Sequence, residues 1–232
     1  MTADRWAQTV RHQLRLGRLL PLGGAHDGAW IAEEAAEAVL RRAVRNLRGV
    51  RLDGLRIALA DPEDVHDPVV PPPPSALPPG PLRVTADFSA TADEPLPATA
   101  ELLRTALATA ATQRLGLTVT EVDLRVASLL DQEPEAGPVR QPEPPSADAG
   151  DDPAAGAALS VPGVTGLTAA LGRAVQAEER QGETALPRRH IRVEVAVDAE
   201  HRAVDVARAV RTEVGKALPG HPTVAVLVTV VG

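Results

Sequence analysis

Ile191-Arg192-Val193-Glu194-Val195-Ala196-Val197 is the stretch that decides how this chain folds. Large apolar residues stand at every second position, the period of a strand with one buried face. A helical pattern follows from about Ala203 to Leu218, with Val206, Ala207, Val210 and Val214 on one side. Val224, Val226, Val228 and Val230 then alternate as another strand. The same order occurs upstream. Leu82, Val84, Ala86 and Phe88 alternate with Arg83, Thr85 and Asp87, and Pro97 sits at a first helical turn. Leu103, Leu107, Ala110, Ala111 and Leu115 form an apolar stripe ending at Gly116, and Val122, Leu124 and Val126 close as a strand. Leu82-Arg83-Val84 aligns with Ile191-Arg192-Val193, and Gly163 to Leu167 echoes Gly49-Val50 through Gly54-Leu55.

Ahead of the earlier copy, Ala29 to Ala32 is a short extended segment. Glu33 to Leu47 then carries Ala36, Val39, Leu40, Ala43, Val44 and Leu47 at helical spacing. Its first turns are acidic (Glu33, Glu34, Glu37) and its last basic (Arg41, Arg42, Arg45, Arg48), the order that complements a helix dipole. Leu55, Ile57 and Leu59 alternate as the next strand. The expected class is α+β: small, mostly antiparallel sheets with helices packed on one face. A β-α-β-β-α-β unit over residues 29–131 is followed by a shortened repeat over 159–232 that lacks the opening helix.

Two stretches break the pattern. Residues 61–81 hold Pro71 to Pro74 among further prolines, which predicts an exposed polyproline spacer inside the first unit. Residues 132–158 are acidic, rich in Pro and poor in large apolar groups, which predicts a disordered linker. Residues 1–28 form a basic amphipathic segment, with Trp6 on one side and Arg11, Arg15 and Arg18 around it. It docks on a partner or a membrane surface, or packs on the protein's own core; we favour the second.

Composition narrows the function classes. Aromatic residues are 1% of the chain, so base-stacking platforms for single strands are not expected. The formal charge of −7 opposes broad phosphate-backbone binding. With no Cys, thiolate catalysis and Cys-ligated metals are excluded. No apolar run reaches the roughly 18 residues of a membrane span. Leu14 to Leu22 is broken by Arg15, Gly17, Arg18 and Pro21, so no signal-peptide core is expected and a cytoplasmic location is the default.

Gly28-Ala29-Trp30-Ile31-Ala32-Glu33-Glu34-Ala35-Ala36, the amphipathic helix after it and Gly49-Val50 resemble the start of the bacterial alkaline-shock, or envelope-stress-response, protein family. Leu16-Gly17-Arg18-Leu19-Leu20-Pro21-Leu22-Gly23 is similar to an actinobacterial variant of it. The resemblance covers residues 16–131 and part of 159–232. It departs at the Pro-rich insert and at the extra C-terminal half-copy. It implies a non-enzymatic protein of the cytoplasmic face that associates with itself and with a small membrane-anchored protein. It transfers no catalytic, cofactor or metal residue.

The residues themselves show no catalytic pattern. His12, His26, His66, His190, His201 and His221 lack metal-ligand spacing, and no phosphate loop or nucleophile elbow is present. No cofactor is expected. The β-branched strand holding Val224, Val226, Val228 and Val230 is a candidate for strand addition if it lies at a sheet edge; a central position in its own sheet is the reading we favour. Two functions remain open: the interaction protein above, and a plait-like module binding a small molecule in a pocket between sheet and helices.

Overall fold

The computed structural model describes residues 17–180 and 188–232. The fold is α+β, in the order β1 (Leu19–Pro21), β2 (Ala29–Ala32), α1 (Glu33–Val44), β3 (Val50–Leu59), β4 (Leu82–Thr91), α2 (Leu96–Thr109, continued by a π-helical turn over Ala110–Leu115), β5 (Val119–Leu130), β6 (Ser146–Ala147), α3 (Pro153–Leu159), β7 (Val164–Thr168), β8 (Val175–Arg180), β9 (Arg188–Val197), α4 (Ala203–Ala217) and β10 (Thr223–Val231).

The strands form two mixed sheets. The smaller runs β3-β4-β5, with β3 antiparallel and β5 parallel to β4. The larger runs β1-β2-β10-β9-β7-β6, with β8 also lying antiparallel along β9. Two of the parallel pairs, β4–β5 and β9–β10, are joined through a helix, as a parallel connection demands. The apolar stripe of α4 (Val206, Ala207, Val210 and Val214) is buried, and α4 packs on β10 and α3. Helix α1 touches β2, β3, β10 and α2, which is why it is buried on nearly every side at Ala35, Ala36, Ala38, Val39 and Leu40. Alanine suits that position because elements on both sides approach it closely.

The sequence boundaries do not separate two closed sheets. Strand β2 opens the 29–131 stretch, yet it pairs in parallel with β10, Val226 facing Ala29 and Val228 facing Ile31. The physical cause is the buried edge of β10, whose N–H and C=O groups need partners on both sides. The helix expected to be missing ahead of β7 is present as α3, inside the stretch expected to be disordered. Asp152 caps it, its carboxylate accepting from the Ala154 and Ala155 N–H groups at 2.8 and 3.4 Å, and Ala154, Ala155 and Ala158 are buried. An Asp-Pro start and small alanines suffice when α4 supplies the opposing surface.

The Pro-rich insert is not a free spacer either. The Leu77 N–H donates to the Leu19 carbonyl at 2.8 Å, the Trp30 Nε1–H donates to the Leu77 carbonyl at 3.2 Å, and Val70 is buried. Prolines give up few donors, so the few that remain are placed where they anchor the segment to β1 and Trp30.

Candidate functional site

The valines singled out for strand addition lie on β10 between β2 and β9. Val224 pairs with Ile191 and Val228 with Val195 on one side, while the Val226 N–H donates to the Gly28 carbonyl at 3.0 Å on the other. Val224, Val226 and Val228 are buried, and Val230 is partly buried. A strand with both edges paired cannot accept another, so Val224, Val226, Val228 and Val230 form core and not an interaction edge.

Of the basic segment, Trp6, Arg11 and Arg15 lie outside the described residues. Arg18 is bound internally. Its guanidinium donates to Glu33 Oε1 at 2.9 Å and Oε2 at 3.2 Å and also to the Ile57 carbonyl, while the Ile57 N–H donates to Glu33 Oε1 at 3.4 Å. Although burial opposes it, these bonds and the Arg18 charge leave the Glu33 carboxyl below its ordinary value. Arg41 donates to the Leu52 carbonyl at 3.2 Å. Side chains from α1 and its N-terminal flank thus occupy groups along the outer edge of β3.

The opposite edge of the smaller sheet has no strand beside it among the described residues, and one side chain, Arg104 of α2, donates to a β5 carbonyl, that of Val122 at 3.4 Å. Among the described residues, β5 pairs only with β4. Val126 and Leu129 are 41% and 61% exposed there, unlike the buried apolar residues of β4. The register is regular from Glu121 to Val126 and shifts at both ends, between Leu82/Arg83 and between Phe88/Ser89. Within that window Glu121, Asp123 and Arg125 share the outer face. Arg83 bridges Glu121 at 2.6 Å and Asp123 at 3.5 Å, and Arg125 bridges Asp87 at 2.8 Å. The alternation of β5 was legible in the sequence; its position at an edge was not, because pairing order is set by the whole sheet.

A second cluster lies on the polar side of β9. Glu194 is fully buried, accepting from the Leu171 N–H at 3.2 and 3.1 Å, with the Arg192 guanidinium at 3.5 Å. Arg192 also donates to Gln176 Oε1 at 2.6 Å, and Gln176 Nε2 donates to Glu178 at 2.7 Å. Burial pushes the Glu194 carboxyl up to about 7 despite the amide and guanidinium donors around it. A carboxyl that exchanges its proton near neutrality is the chemical consequence. The sequence disguised it, since Arg192 and Glu194 have the alternation of a solvated face.

His190 is buried, with Nδ1 2.9 Å from Thr223 Oγ1. His201 Nδ1 lies 2.8 Å from Asp198 Oδ1, but that carboxylate also accepts the Glu200 and His201 N–H groups at 2.9 Å and so fixes the turn into α4. No group of three or more His, Asp or Glu among the described residues is placed to hold a metal. Among them, too, no helix is long and apolar enough to cross a membrane. No protein-family model matches the chain, and no curated protein matches it.

Proposed function

We propose that this chain is a non-enzymatic interaction protein of the envelope-stress kind, which associates with itself and docks to a small membrane-anchored protein at the cytoplasmic face. The observation that supports self-association is that β5 has a strand on one side only, the long Arg104–Val122 contact being the single side-chain bond to its backbone among the described residues. Two copies can meet there antiparallel about a two-fold axis, which makes the contact self-complementary. Matching inner face to inner face allows registers centred on Asp123 or on Leu124. The first sets Glu121 opposite Arg125, twice, but also sets Asp123 against its own copy. The second sets Asp123 opposite Arg125 of the other copy, twice, and Val122 opposite Val126. Opposite charges across a strand pair stabilise and like charges repel, so the Leu124-centred register wins.

Other features support the same reading. Apart from β8, which is inserted between β7 and β9, each half of the chain runs helix, antiparallel strand pair, helix, parallel strand: α1-β3-β4-α2-β5 and α3-β7-β9-α4-β10. We read these as two copies of one unit. In the second copy the last strand is covered by β2; in the first the corresponding strand, β5, awaits a partner. Membrane docking rests on the resemblance of residues 16–50 to the envelope-stress family.

Light scattering on the size-separated chain at high concentration tests self-association. Wild type should be a dimer, Arg125→Asp should dissociate it, and the charge-exchanged Asp123→Arg/Arg125→Asp variant should restore it. A wild-type monomer at every concentration overturns this half, and so does a dimer indifferent to both variants. Affinity capture from membranes that retains no membrane protein overturns the docking half.

A further inference from the structure

A groove of about 500 Å3 runs between α1 and α2 and ends at β10. Its apolar lining comes from Val39 and Ala43 of α1, Ala106 and Ala110 of α2 and its π-helical turn, and Val231 at the far end, with Thr109 and Gln113 as polar neighbours. That is within the size range of small-molecule sites. Two arginines stand at the Val231 end. Arg42 donates to the Val231 carbonyl and to the Gln141 side-chain oxygen at 3.1 and 3.2 Å, and Arg114 Nη1 donates to the Ala199 carbonyl at 3.3 Å, so both are held by neutral acceptors. Among the described residues neither guanidinium has a carboxylate within ion-pair distance, whereas Arg18, Arg83, Arg125 and Arg208 all do. Burial chiefly, and the Arg114 charge second, disfavour the charged form of Arg42. Arg114 is carried toward this end by the π-helical turn, an irregularity that recurs at functional positions in other helices.

We propose that this groove binds a small amphipathic anion, its oxyanion head group held between Arg42 and Arg114 and its apolar tail lying along Val39, Ala43, Ala106 and Ala110. An anion there faces two guanidiniums that line the groove without a carboxylate partner among the described residues, and it meets the planar donors that suit carboxylate and phosphate oxygens. A neutral ligand of the same shape gains only the apolar contact. The site is independent of the β5 edge and of the self-association proposed above.

Calorimetric titration of the full chain with decanoate, decyl phosphate and decanol tests the proposal, the first two distinguishing a fatty acid from a phosphate ester. One of the two anions should bind saturably at one per chain and about tenfold or more tighter than decanol. Arg114→Gln, at an exposed position, should weaken that anion about tenfold and leave decanol unchanged. Ala106→Phe, which fills the groove, should abolish both. Failure of both anions to bind below micelle-forming concentrations overturns the proposal. Equal affinity for anion and decanol, or undiminished anion binding by Arg114→Gln and Ala106→Phe, overturns it equally. If neither anion binds and Arg114→Gln instead alters the sedimentation coefficient, the groove is a contact between copies and the ligand site falls.

Discussion

Arg18 and Glu33 hold each other reciprocally: the Arg18 N–H and guanidinium donate to the Glu33 carboxylate, while the Glu33 N–H donates to the Arg18 carbonyl at 2.9 Å. The pair fixes the segment before β1 against the start of α1 and reaches the edge of β3 at Ile57. Glu33→Ala should therefore lower stability by about 1–2 kcal/mol through the lost charge-assisted bonds, Arg18 keeping its bond to the Ile57 carbonyl and partial access to water. Urea denaturation of Arg18→Ala, Glu33→Ala and the double variant measures it. The double variant should lose clearly less than the sum of the singles.

Glu194 makes stability depend on pH in a defined window. Its carboxyl is raised from about 4.5 in the unfolded chain to about 7 in the fold. The folded state therefore holds the proton more tightly, and that contribution is complete below pH 4.5 and lost as pH rises through 7. Two and a half pH units amount to about 3 kcal/mol as an order of magnitude. Glu194→Gln keeps an acceptor for the Leu171 N–H and cannot ionise. Between about pH 4.5 and 7 the wild type should lose stability relative to Glu194→Gln, by urea denaturation, with the two curves parallel above pH 8.

Asp27 shows the opposite sign. Its Oδ2 accepts the Gly24 N–H at 2.7 Å, and Arg208 of α4 donates to Oδ1 at 2.7 Å and to Oδ2 at 3.0 Å. Chiefly through the Arg208 bond, the carboxyl lies below its ordinary value. This stability is present above pH 4 and is lost as pH falls through the lowered folded value. Asp27→Asn should cost at most about 1 kcal/mol at pH 7, because Arg208 is half exposed, and nothing in strong acid. Gly23, at φ 82°, packs so closely on Asp27 that a Cβ there would meet Oδ2 at 2.2 Å. Gly23→Ala should disrupt the same turn by sterics alone.

Trp30 anchors the Pro-rich insert. It is 1% exposed, and its indole N–H reaches the Leu77 carbonyl. Trp30→Phe should cost about 1–2 kcal/mol through the lost bond and lost volume. Limited proteolysis should then cut within residues 61–81 faster than in wild type, while cleavage elsewhere changes little.

The strands and helices were legible because their periods are strong: Ile191 to Val197 and Val206 to Val214 could be placed from spacing alone. What escaped was decided at longer range. Nothing local in Ala29 to Ala32 says that it will lie beside Val226, some two hundred residues away. The alanines of α3 carry too little apolar surface to announce a helix until α4 is in place. Glu194 has the alternation of a solvent-facing residue, and only the folding of Ala170 and Leu171 over β9 turns it inward. At the candidate sites, the charges of β5 could be listed from the sequence, but its place at the end of the sheet and the groove beside Arg42 and Arg114 are properties of assembly.

The pairing of β2 with β10 also orders events during synthesis. Ala29 to Ala32 leaves the ribosome long before Val226 to Val228 exists, so the first half emerges with the parallel side of β2 uncovered. The smaller sheet, from β3 to β5, can close early because all its strands lie within residues 50–130. The larger one waits for the far end of the described chain, a non-local closure of the kind that slows folding. Completion of this fold is therefore read out by its last strand, and a nascent chain halted before Thr223 presents β2 and β9 as two unfilled slots flanking one missing piece.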